Sequence, residues 1–173
     1  MTAEGERPPE EALDLLKLSL AEAQTSVRSY DTKAQIVGVG YIFALGVIGQ
    51  FERALPTAST SEIAYVLLAW GIVIAPIVMF GAVLNPTRKA APALQQQVGD
   101  AVKSVLYVDP KTVTSLAAMK NMALRADPAL ELSYELLKVS TLREVKRRRF
   151  RAGLFSSAGA FAVIFAMQLI RTL

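Results

Sequence analysis

The chain has 173 residues, 53% of them hydrophobic, and a formal net charge of +4. It contains no cysteine, which excludes disulfides and thiolate metal sites, and no histidine, which removes the commonest metal ligand and the best proton carrier near neutral pH. Chemistry would have to run on carboxylates, lysine or hydroxyls, and no nucleophile–base pair or phosphate loop is recognisable, so we expect no enzyme, no catalytic residue and no metal site.

In chain order, residues 1–9 (MTAEGERPP) are polar with two prolines and read as a disordered leader. From Glu10, Leu13, Leu16, Leu20, Ala23, Val27 and Tyr30 recur at intervals of 3 and 4, a heptad-like seam that continues through Ala34 and Val37 to Tyr41. The seam fits packing against the chain's own later helices or self-association around a common axis. No Gly or Pro interrupts residues 10–37, so residues 10–51 read as one helix that rises from water and continues into a membrane. Its second half, residues 34–51 (AQIVGVGYIFALGVIGQF), carries no charge. Residues 63–84 and 152–170 are two further uncharged runs. About 20 apolar residues cross the hydrocarbon layer at 1.5 Å per residue. The expected fold is therefore an all-α membrane protein with three transmembrane helices, the first and last extended into a helical cytoplasmic region.

The leader before the first run is long and acidic, unlike the short basic start of a cleaved signal peptide. The glycines of that run, Gly38, Gly40, Gly46 and Gly49, suit close helix approach better than a dinucleotide fingerprint, because Phe43 takes the third glycine's place. Pro76 inside the second run is expected to kink it as a fixed feature of shape.

Residues 85–151 form the expected water-facing helical segment. Leu94, Val98, Ala101, Val102, Val105 and Leu106 have helical spacing. Asp109-Pro110 and Asp127-Pro128 each place an N-cap acceptor before a proline, predicting helices over about 110–125 and from 128 onward, the latter continuing into the third span.

Residues 1–33 carry 4 Lys/Arg against 7 Asp/Glu, and residues 85–151 carry 13 against 6. Arg28 and Lys33 precede the first span, Arg88 and Lys89 follow the second, and Lys146, Arg147, Arg148, Arg149 and Arg151 precede the third. By the bias of basic residues toward the cytoplasm, the N-terminus lies inside and the C-terminus outside. The expected place is a membrane, with the basic side facing the cytoplasm. The cluster at 146–151 reads as an anchor to anionic lipid headgroups, together with Arg88 and Lys89, or as a phosphate-ligand site. Nucleic acid is not an expected partner, because no reading helix or base-stacking module accompanies it.

Tyr30-Asp31-Thr32-Lys33-Ala34 leads into a span, a short loop and a second span. A helical insert follows, then Glu131–Ser140 (ELSYELLKVS), a basic segment and a last span. Over about residues 12–170 this arrangement resembles the membrane effectors of Pycsar, a bacterial antiphage system. The resemblance implies that a pyrimidine cyclase makes cUMP or cCMP during infection. The messenger activates the effector, which impairs inner-membrane integrity and causes abortive infection. It implies no other cofactor. The cytoplasmic segment is too short and too helical for the usual β-barrel nucleotide-binding module. Charge alone singles out Arg28, Asp31, Lys33, Arg143 and Lys146 as a candidate ligand site, the cations for a phosphate and Asp31 for a base or ribose donor. The plainer reading is that Asp31 and Lys33 neutralise charge where a helix enters the bilayer. The expected partners are membrane lipids and further copies in a homo-oligomer. A structural adaptor that recruits a soluble protein is the alternative.

Overall fold

The computed structural model describes residues 9–50, 63–85, 102–108, 113 and 115–172. Among these residues four α-helices and one 3-10 turn occur, and no strand. Helix α1 spans Pro9–Gln50, α2 Ile63–Leu84, α3 Leu116–Arg125 and α4 Pro128–Thr172, with the 3-10 turn at Val105–Tyr107. Three helices contain stretches long and apolar enough to cross a membrane: Glu10–Ile48, Leu67–Leu84 and Pro128–Ile170. Only 11%, 17% and 17% of their apolar windows are buried within the protein. Most of that apolar surface is therefore left for lipid, and the chain is an all-α membrane protein.

The chain divides into two compact units: Met1–Val27 with Thr87–Glu144, and Arg28–Pro86 with Val145–Leu173. In the first unit the helix starts are set by side-chain caps. Asp127 Oδ1 accepts from the Ala129 amide at 2.9 Å, and Pro128 opens α4, as the Asp-Pro pair predicts. Helix α3 begins at Leu116, later than the start expected at Pro110. Its cap is Ser115, whose side chain accepts from the Ala118 amide at 3.1 Å. Asp109 and Pro110 lie outside the described residues. So does most of the helix expected around Leu94, and its described end is not α-helical: residues 102–104 are irregular, Ser104 adopts a left-handed backbone at φ 57°, and Val105 and Leu106 lie in the 3-10 turn.

The second unit packs around Ala34, Phe80 and Val83, flanked by Val37 and Phe150. Phe80 explains two of the glycines. A Cβ on Gly153 would come within 2.8 Å of the Phe80 ring, and one on Gly38 within 3.4 Å of Phe80 Cβ. Gly40 and Gly46 face open space instead, so close approach accounts for Gly38 and not for them. Tyr41 is buried, packs its ring on Phe161 at 5.1 Å and donates its hydroxyl to the Val73 carbonyl at 3.1 Å. That bond lies one residue beyond Ile72, whose carbonyl loses its helical donor to Pro76. Pro76 is itself fully buried inside a continuous α2. Every seam position from Leu13 to Tyr41 is buried or half-buried within the single chain. The seam thus contributes to the chain's own packing.

Candidate functional site

The second unit holds four of the five ligand candidates that the sequence singled out, Arg28, Asp31, Lys33 and Lys146. On α1, Asp31 forms an ion pair and hydrogen bond with Lys146 of α4, across a separation of 115 residues in sequence. The Lys146 side chain is 6% exposed and that of Asp31 34%. A lysine this deeply buried requires a counter-charge, and Asp31 supplies it. Aromatic rings lie beside the pair: Tyr30 and Phe150 stand 6.1 Å apart, and Phe150 is equally far from Phe80. Lys33 is exposed, with its ammonium 5.7 Å from the Tyr30 ring centroid, a cation–π distance. Arg28 is exposed, and its carbonyl accepts the Thr32 hydroxyl at 3.1 Å.

Of the five candidate ligand residues, the structure joins Asp31 and Lys146 directly and leaves Arg28 and Lys33 at the surface. Arg143 is exposed on α4 and belongs to the first unit. Lys146 is thus held by one internal carboxylate, that of Asp31.

The basic run does more than carry charge. Arg149 donates from Nη1 to the carbonyl of Ala82 at 2.7 Å, satisfying one of the orphan acceptors in the last turn of α2 and lying at the negative end of its dipole. Arg147, Arg148 and Arg151 are exposed. Arg88 and Lys89 lie outside the described residues.

Sequence reasoning missed the work done by Glu131 and Glu135. In the first unit the Glu131 carboxylate is 4% exposed and accepts three successive amides, those of Lys103, Ser104 and Val105, at 2.5, 2.9 and 3.0 Å. Their convergence depends on the left-handed turn at Ser104. One helical turn on, Glu135 is 2% exposed, receives Lys138 at 3.0 Å on Oε1 and leaves Oε2 without a hydrogen-bond partner. The signal was the pair of carboxylates four apart in ELSYELLKVS, on the helix face that also holds Leu132.

Among the described residues no group of three or more acidic residues could hold a metal ion. No curated protein and no solved structure matches the chain. The family model described as the Pycsar effector protein domain, PycTM, matches residues 15–172, which takes in all three apolar helices, the Asp31–Lys146 pair and the two buried glutamates. The chain therefore belongs to the Pycsar effector family and is an effector of antiphage defence.

Proposed function

We propose that this effector is switched on by a cyclic pyrimidine nucleotide, cUMP or cCMP, made by a pyrimidine cyclase during infection. It then impairs the integrity of the bacterial inner membrane, and the infected cell dies before phage mature. It works by binding and by disrupting lipid, without catalysing a reaction. Several copies assemble to do so. The N-terminus and the basic segment face the cytoplasm and the C-terminus faces outward, an orientation supported by the placing of Arg28, Lys33 and residues 146–151.

The observation that carries this reading is the buried Asp31–Lys146 pair, which ties the first apolar helix to the last at its polar end. A pair of this type is costly to break by removal of one partner, yet a second anion can replace the carboxylate. A nucleotide phosphate taking Lys146, drawn in by Arg28 and Lys33, frees Asp31 and loosens α1 from α4. Asp31 then becomes available to accept from the base or ribose.

Liposomes containing the pure protein and a self-quenched dye test this. Added cUMP or cCMP is expected to release the dye, cAMP to leave it inside, and Asp31→Asn to leak before any nucleotide is added. Leakage indifferent to every cyclic nucleotide would sink the proposal.

A further inference from the structure

Helix α3 is ten residues long and buries none of them. Leu116 is 90% exposed and Leu124 74%. It touches the 3-10 turn and half-buries Met119 and Met122, but a helix of that length is marginal in water, and the side carrying Leu116 and Leu124 still needs a surface. Its only charges are Lys120 and Arg125, both basic. Lipid does not fit this need. Helix α3 covers about 15 Å, whereas α4, to which it is joined through Ala126 and Asp127, runs about 36 Å from Pro128 to its apolar stretch at Ala152.

The complementary surface is on α1. Glu11, Leu15, Leu18 and Glu22 are all exposed and lie at intervals of 4, 3 and 4, one stripe of the helix. Leu15 is 47% and Leu18 67% exposed. Among the described residues none of Glu11, Glu22, Lys120 and Arg125 takes part in an ion pair. The spacings also match: Lys120 lies four residues before Leu124, and Glu22 four residues after Leu18. With the helices antiparallel, Leu124 against Leu18 places Lys120 beside Glu22.

We propose that α3 of one copy docks on the Glu11–Glu22 stripe of α1 in a second copy, Leu124 on Leu18 with Lys120 meeting Glu22. The contact is a means by which the effector's copies assemble, and it rests on the reading that they do. It does not involve the heptad seam, which the chain covers itself.

Because the chain has no cysteine, single-cysteine variants test this cleanly in the full-length protein in nanodiscs. Leu18→Cys and Leu124→Cys proteins with different tags, mixed and treated with a short bifunctional maleimide, are expected to give a cross-linked pair carrying both tags. Adding Lys120→Glu to the second protein should lower that yield about fivefold, a shift of about 1 kcal/mol. Adding Glu22→Lys to the first should restore it. All four positions are exposed, and unchanged melting of each variant confirms an intact fold. Absence of the mixed pair, equal cross-linking of Leu124→Cys protein with itself, or quenching of a probe at position 124 by brominated lipid would overturn the proposal. So would a charge reversal that Glu22→Lys does not rescue. If the mixed pair forms but cyclic nucleotides release no dye, the gating reading fails and the contact stands.

Discussion

Lys146 places a positive charge where its side chain is 6% exposed, and one carboxylate keeps that tolerable. Removing Asp31 leaves an uncompensated buried ammonium. We expect Asp31→Ala to cost about 3 kcal/mol, the low end for a broken buried pair because Asp31 keeps some contact with water. Thermal unfolding in detergent micelles reads this loss, and the double variant Asp31→Leu/Lys146→Met should regain most of it. Glu131 acts similarly on neutral partners, accepting from three successive backbone amides. Glu131→Ala should cost about 3 kcal/mol and abolish hydrogen-exchange protection at Lys103, Ser104 and Val105 while leaving the middle of α1 protected. Charge pattern at a bilayer boundary was enough to single out Asp31 and Lys146. Charge also suggested that they meet, but not that they pair directly with each other, since that depends on how α1 and α4 pack. The Glu131 cradle was hidden for the same reason, because it needs one residue in a left-handed turn that no local motif announces.

Among the elements, the sequence was most informative where a single physical rule governs. Uncharged runs of about 20 residues and the Asp127-Pro128 start are of that kind, and α2 and α4 follow them. It was least informative in residues 85–126, where the start expected at Asp109-Pro110 gives way to Ser115, which opens the described helix. Helical spacing around Val102–Leu106 gave no hint that Glu131 draws the chain into a tight turn there. Glycine spacing likewise named candidates without ranking them, and Phe80 makes the distinction. Gly153→Val pushes a branched side chain into the Phe80 ring, and we expect a cost of 1 to 3 kcal/mol in about that range for an overpacked core. Gly40→Ala meets nothing within 4 Å and should be neutral or slightly stabilising in the same unfolding measurement. Losing the Arg149 bond to the Ala82 carbonyl, by Arg149→Ala, should lower stability by about 1 kcal/mol.

For the whole molecule, every functional statement depends on three crossings of a bilayer with the basic segment on the cytoplasmic side. An odd number of crossings places the two termini on opposite faces, a consequence that does not depend on any side-chain detail. The cysteine-free chain makes this measurable in intact cells: introduce Ala3→Cys, Thr57→Cys, Lys120→Cys or Leu173→Cys singly, and add a membrane-impermeant maleimide from outside. Positions 57 and 173 should react at once, and positions 3 and 120 only after the inner membrane is permeabilised. Labelling of both termini from the same side, or of position 120 from outside, would contradict the account.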